Sequence, residues 1–294
     1  MGIGSDEILP LLVNHSYGKG DVNVLTKVEA TSGVSFREMR ISLELTGGLE
    51  AAYIDGDNSA VLPSDSLKNH VLALTESARG AALEDFGRTL LERICQSMTS
   101  RTKAKAILSE RRWHANPSEN GRYDTSQTMI PRSNCEVVVT RLGSDAYVVG
   151  GEMSLDVIRG GRSSFYGFLK DRYTQQNDVF ERVLFGTLSC RWTYGELPLD
   201  MDGSRDRIRG LLEVAFSTVS SRSVQETIHG VAVLLLKDVQ VLKEVEIEFR
   251  SVPLKEYEGL EASGVTTGVW LMSGADHSFT TAKLRRNDSR SAEQ

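Results

Sequence analysis

The residues able to carry chemistry are spread through this chain in a way that first excludes the commonest sites. No phosphate-binding P-loop, dinucleotide glycine fingerprint, GxSxG nucleophile elbow or HExxH helix occurs, so the usual cofactor, hydrolase and zinc classes lose their support. The five histidines, His15, His70, His114, His229 and His277, are scattered, and no metal site is expected from them. Cys95, Cys135 and Cys190 are odd in number and have no close spacing, which argues against a disulfide framework or a CxxC metal site; they read as reduced thiols of a cytosolic protein. Two further features have ordinary readings. Ser64, just before an apolar-periodic run, serves as an N-cap whose hydroxyl takes a free backbone N–H, and Arg182 beside Glu181 reads as a surface ion pair.

Composition narrows the field further. With 294 residues, 40% hydrophobic and 25% charged, the chain has the make-up of an ordinary globular protein and enough apolar material for a real core. Its length suggests one large domain or two repeats. Lys plus Arg number 34 against 40 Asp plus Glu, giving a net charge of −6, so neither nucleic acid nor an anionic membrane is expected as the main partner. No run of about 18 apolar residues is present and the first 25 residues lack the order of a signal peptide, so a cytoplasmic protein is expected.

The elements that must position any site recur in two halves. Met39, Ile41, Leu43 and Leu45 alternate with Arg40, Ser42 and Glu44, the period of a half-buried strand, with Val22–Val28 as its hairpin partner. Helices are expected from Ser64 through Leu74 and from Leu83 to Met98, where Leu83, Phe86, Leu90, Ile94 and Met98 share a face. Strand-like residues follow near Thr102–Trp113. The order then returns: a hairpin of Glu136–Leu142 and Ala146–Ile158 across Gly143-Ser144-Asp145, a strand over Val183–Tyr194, a helix with Ile208, Leu211, Leu212, Ala215 and Val219 on one stripe, and another over Val224–Val239. Val245, Ile247 and Phe249 alternate in the next strand, and residues around Val269–Leu284 close the pattern. Segments 115–133 and 286–294 read as a polar loop and a tail. The expected class is α+β, with units at 1–133 and 134–294, and the open sheet edges call for oligomerisation.

Three segments resemble the urate oxidase family in order and spacing. They are Tyr17-Gly18-Lys19; Asp57-Asn58-Ser59 leading to Ser64-Asp65-Ser66-Leu67-Lys68-Asn69; and Ser164-Phe165-Tyr166-Gly167-Phe168-Leu169-Lys170-Asp171-Arg172-Tyr173-Thr174 continuing to Glu181-Arg182. Val224-Gln225 and Pro253 also fall where the family pattern has them, so the resemblance spans almost the whole chain. It implies a tandem tunnelling fold, or T-fold, of two antiparallel ββααββ units per chain, assembled as a homotetramer around a β-barrel tunnel with sites shared between subunits.

The resemblance also implies a set of roles. A flat heterocycle would stack on Phe165, with Arg182 offering a donor fork and Gln225 one donor and one acceptor to its dione edge, beside Val224. Ser64, where the family usually has threonine, and Asp65 would serve the opposite edge from a helix N-terminus. Lys19 would relay protons with the Ser64 hydroxyl. The family's Pro-Asn-Lys-His element, whose amide holds dioxygen or water and whose imidazole completes the relay, reads here Pro253-Leu254-Lys255-Glu256. Leu254 cannot hydrogen-bond, and Glu256 replaces the imidazole with a carboxylate that as a plain solvated charge would need no role. His229, one helical turn after Gln225, either supplies an imidazole or packs in the core.

The activity so implied is a cofactor-independent oxidation, by dioxygen, of urate or a related planar purine-like heterocycle. Two other functions stay open on the sequence: a different acid-base or oxidative step on a modified purine or pteridine, using Glu256, and a non-catalytic homologue that only binds such a ligand or serves structurally.

Overall fold

The computed structural model describes residues 11–30, 33–115, 129–142, 146–218, 221–256, 270–272 and 276–287. The turn at 143–145, most of the 115–133 loop, Val219, Val269 and the tail beyond 287 lie outside the described residues. The chain forms two compact units, Met1–Val149 and Gly150–Gln294.

In the first unit, strands β1 (Ser16–Ala30) and β2 (Gly33–Thr46) form the expected antiparallel hairpin. Helices α1 (Glu50–Ile54), α2 (Ser64–Ser77) and α3 (Leu83–Cys95) follow, and then β3 (Lys103–Ala115) and β4 (Met129–Arg141). The sheet order is β1-β2-β3-β4. Alternation in β2 places Met39, Ile41, Leu43 and Leu45 in the core, where Leu67, Val71 and Leu74 of α2 and Phe86, Leu90 and Ile94 of α3 are also fully buried. The segment Glu136–Leu142, expected to open the second repeat, lies in β4 and pairs with β3 from Ala104↔Arg141 to Ala115↔Met129, so the expected division at 133/134 falls inside a strand of the first unit. The second helix stops at Cys95 rather than Met98, and the one-turn helix α1 has no buried residue, hence no periodic signal to announce it.

The second unit repeats the plan with β5 (Tyr147–Arg159), which crosses the division, β6 (Leu184–Tyr194), α4 (Met201–Thr218), α5 (Val224–Asp238), β7 (Leu242–Ser251), a small pair β8 (Leu254–Glu256) and β9 (Trp270–Met272), and β10 (Ser278–Arg285). The main sheet runs β5-β6-β7-β10, and β8 pairs with β9 apart from it. Ile208, Leu212 and Ala215 of α4 and Ile228, Val231 and Leu235 of α5 bury one helical stripe each, while Val245, Ile247 and Phe249 of β7 alternate into the same core. Phe216 meets Phe249 at 5.1 Å between ring centroids, joining α4 to the sheet.

Strands thus carry helices in each half, the α+β architecture that the strand and helix periods predict. The long connection between β5 and β6 is neither helix nor strand, and it holds Phe165 and Arg182.

Candidate active site

The first unit supplies a lysine and a helix N-terminus. Gly18 pairs closely with β2: a Cβ built there would lie 1.8 Å from the Leu43 carbonyl oxygen, so the backbone needs glycine at this point. Immediately after Lys19 the register shifts, with Asp21 at φ 52° and its N–H donating to Ser42 Oγ at 3.0 Å. Such a bulge re-aims the side chains beside it. Lys19 Nζ lies 3.4 Å from Asp65 Oδ1, with the lysine side chain 32% and the aspartate 86% exposed.

What brings Asp65 to β1 is Tyr17. Its hydroxyl donates to the Leu62 carbonyl and accepts from the Leu62 N–H, both at 3.1 Å, and fastens the segment entering α2 against the strand. Burial pushes the Tyr17 phenol above its ordinary range, so it stays a neutral donor and acceptor at neutral pH. Upstream, Asp57 accepts the Ser59 N–H at 2.9 Å, and that bond holds its carboxyl below the usual range.

Ser64 is not the N-cap. Pro63 occupies that position, with φ −53° and ψ 141°, and Ser64 is the first helical residue. Proline has no side-chain acceptor to fold back on the first turn, and the first helical bond is Leu67 N–H to Pro63 O at 3.2 Å. The N–H groups of Ser64, Asp65 and Ser66 therefore point out of the helix end without a helical partner. The exposed Ser64 hydroxyl makes no hydrogen bond among the described residues.

The second unit gathers an aromatic ring, a guanidinium and another helix N-terminus. Ser163, 1% exposed, forms a parallel bridge with Ser221, and Ser164 N–H donates to Ser221 O at 3.0 Å. Phe165 and Val179 exchange backbone bonds of 2.6 and 2.8 Å, and Gly167 turns the chain between them at φ 70°. Phe165 stacks on Phe168 with centroids 4.7 Å apart and planes 9° from parallel.

Arg182 stands over this ring, its Cζ 5.1 Å from the Phe165 centroid. Its backbone N–H donates to Ser163 O at 2.9 Å and its Nε to Ser163 Oγ at 3.4 Å. Burial lowers its proton affinity, though a guanidinium stays charged at any ordinary pH. The ion pair with Glu181 that adjacency suggests does not form among the described residues: Glu181 Oε1 accepts the Arg162 N–H at 3.4 Å instead. The terminal nitrogens of Arg182 carry no hydrogen bond among the described residues.

Three residues past Ser221, α5 begins. Ser223 caps it by accepting the Glu226 N–H at 3.1 Å, and Val224 and Gln225 occupy its first turn, with Gln225 exposed. Thr227, fully buried, bonds the Ser221 hydroxyl at 2.5 Å and so ties the helix start to the Ser163 bridge. His229 is exposed, which removes core packing as its reading. Leu254 and Glu256 lie in β8 opposite Met272 and Trp270; Leu254 is half-buried, and the Glu256 side chain lies outside the described residues.

Sequence reasoning missed the scaffold that holds these groups. The buried Arg159 donates to the carbonyls of Gly161 at 2.8 Å and Phe216 at 3.2 Å, and also to that of Arg162, pinning the start of the long connection. Tyr17, Ser163, Ser221 and Thr227 act in the same way. The Tyr17–Leu62 and Ser163–Ser221 contacts join residues far apart in sequence, and all these residue types are common, so no local pattern marks them. Among the described residues no group of three His, Cys, Asp or Glu side chains is placed to hold a metal ion, and no helix is long and apolar enough to cross a membrane.

Comparison with known proteins gives a consistent picture. A family model described as uricase matches residues 148–285. The chain is 27% identical over 250 residues to the uricase of Arthrobacter globiformis, covering 84% of this chain and 79% of that one. It is 26% identical over 256 residues to the uricase of Dictyostelium discoideum, at 86% and 88% coverage. In structure it is similar to the Arthrobacter globiformis uricase crystal structure with a TM-score of 0.86 at 21% identity, covering 97% and 98% of the two chains. The urate oxidase of Bacillus sp. TB-90 follows at a TM-score of 0.75 and 19% identity, covering 92% and 100%. At these identities the structural likeness establishes the T-fold.

Proposed function

We propose that the chain is a diverged member of the uricase family and that it oxidises urate, or a closely related planar purine-like anion, with dioxygen and without a cofactor. For urate the balance is urate, dioxygen and water giving 5-hydroxyisourate and hydrogen peroxide. The deprotonated ring gives two electrons to dioxygen, which takes two protons and leaves as peroxide, and water supplies the hydroxyl added to the ring. The substrate is its own reductant, so the protein's part is to position it and to move protons.

The observation that carries this reading is the pairing of Phe165 with Arg182. A ring face under a guanidinium whose terminal nitrogens carry no hydrogen bond among the described residues suits a flat anion, stacked on the phenyl ring and gripped at its edge. Gln225, beside Val224 in the first turn of α5, adds a donor and an acceptor for the same edge. Lys19, Asp65 and the open N–H groups at the start of α2 form a second half-site, suited by the helix dipole to an anion and by Lys19 and the Ser64 hydroxyl to proton transfer.

Arg182→Ala should weaken urate binding by about 2 kcal/mol, roughly 30-fold in Kd, because a charge-assisted contact is lost while the stack on Phe165 remains. Titration of urate under anaerobic conditions reads this directly, and an unchanged Kd would remove Arg182 from the site.

We further propose a homotetramer in which each complete site takes Lys19, Ser64 and Asp65 from one subunit and Phe165, Arg182 and Gln225 from a neighbour. β1 and β10 stand at the ends of their strand orders, edges that a partner can cover. Light scattering at micromolar concentration should return about four times the 32.4 kDa chain mass, and a monomeric mass would refute the assembly. Three free cysteines suit a reducing compartment such as the cytoplasm.

A further inference from the structure

Ser163 is the point at which the three ligand-binding elements of the second unit meet. Phe165 follows it by two residues, Arg182 bonds it through both backbone and side chain, and Ser221, its bridge partner, leads into the helix that carries Gln225. It is the most buried residue of the 160–183 connection, and its hydroxyl lies 3.4 Å from Arg182 Nε.

We propose that Ser163 is a positioning residue for the anion site: its hydroxyl accepts the Arg182 Nε–H and thereby turns the guanidinium so that its two terminal nitrogens form the fork offered to the ligand. The inference rests on the anion-binding reading of Arg182. Its physical basis is the shape of the guanidinium. One bond at Nε, added to the tether of the aliphatic stem, fixes rotation of the planar group and leaves its outer N–H groups for bidentate recognition. A buried acceptor does this best, since water cannot compete for the Nε–H. The 2.9 Å bond from Arg182 N–H to Ser163 O holds the two residues in step, and the Ser163↔Ser221 bridge ties the same point to the Gln225 helix. Loss of the hydroxyl leaves the charge in place and loosens its aim, so binding weakens without disappearing.

The test is a double-mutant cycle on urate binding, measured anaerobically with the full-length protein, combining Ser163→Ala with Arg182→Ala. Ser163→Ala alone should raise Kd about 5- to 10-fold, and in turnover the same factor should fall on KM. In the Arg182→Ala background it should change Kd less than about twofold, because the group it orients is gone. Should the alanine variant fold poorly, Ser163→Cys keeps a side chain of similar length with a weaker acceptor, and should give an intermediate rise. An equal loss in both backgrounds would mean that Ser163 supports the connection generally and does not act through Arg182. An unchanged Kd in Ser163→Ala would also overturn the proposal while leaving the site itself standing. If the unsubstituted protein binds no urate, the anion-site reading fails and this inference fails with it.

Discussion

Lys19→Met should lower the turnover number for urate by on the order of 100-fold or more, with a much smaller change in binding. The lysine stands 3.4 Å from Asp65 at the mouth of α2, where the Ser64 hydroxyl is uncommitted among the described residues. An ammonium there can hold or pass the protons that dioxygen reduction and water addition require. Methionine keeps the unbranched stem beside the β1 bulge and removes only the proton-carrying end, so the fold should persist. Steady-state rates combined with anaerobic binding separate the two effects. A turnover number within a few-fold of the parent protein would show that Lys19 is a surface partner of Asp65 and no relay.

The second large effect is expected as a gain. By the family resemblance, the element Pro253-Leu254-Lys255-Glu256 corresponds to one that carries an amide and an imidazole. An apolar Leu254 offers no oriented donor to a reduced-oxygen intermediate or to water, and losing such a donor typically costs on the order of 100-fold in rate. A carboxylate at Glu256, once ionised, accepts a proton but has none to donate, whereas a histidine does both near neutral pH, accepting as imidazole and donating as imidazolium. Urate turnover by the native chain should accordingly be slow, and the double substitution Leu254→Asn with Glu256→His should raise it by on the order of 100-fold. Both residues sit on the short β8 strand, whose backbone pairing with β9 needs neither side chain. Equal rates in the parent and the double variant would place these two residues outside the chemistry.

How much of this was legible in the sequence follows from the range of the forces involved. β2, α3, α4 and β7 declare themselves because each buries a whole face, and burial imposes a period of 2 or 3.6 on residue types. The one-turn α1 buries nothing and left no trace. Ser64 misled because serine is a good cap by type, yet the chain enters α2 through Pro63, whose fixed φ suits the position just before the helix. His229, one turn after Gln225, could by sequence supply an imidazole or pack in the core, and it falls with Gln225 on the exposed side of α5. The strand at Glu136–Leu142 is clear as a strand, and its expected hairpin return is formed, with Leu142 N–H donating to Ala146 O at 2.8 Å; its pairing with β3 on the other edge is not announced, since alternation fixes a face and says nothing of which further neighbour pairs with it.

The candidate site residues are proposed from motif resemblance, and the contacts that support them carry no such signal. Phe165, Arg182 and Gln225 are 17 and 43 residues apart along the chain, and it is the Ser163↔Ser221 bridge, the Arg159 bonds and the Ser221–Thr227 pair that bring their backbones together. Such contacts are a few hydrogen bonds between residues of ordinary type, some local and some far apart in sequence, and they become visible only in three dimensions.

Urate oxidase-type chemistry is tested most directly by oxygen uptake of the purified protein on addition of urate, with no cofactor or metal added. Slow but enzyme-dependent consumption of one dioxygen per urate is expected, with one hydrogen peroxide released, lowered by on the order of 100-fold or more in Lys19→Met and raised by Leu254→Asn with Glu256→His. Urate bound without any enzyme-dependent oxygen uptake, in the native chain and in the double variant alike, would contradict it.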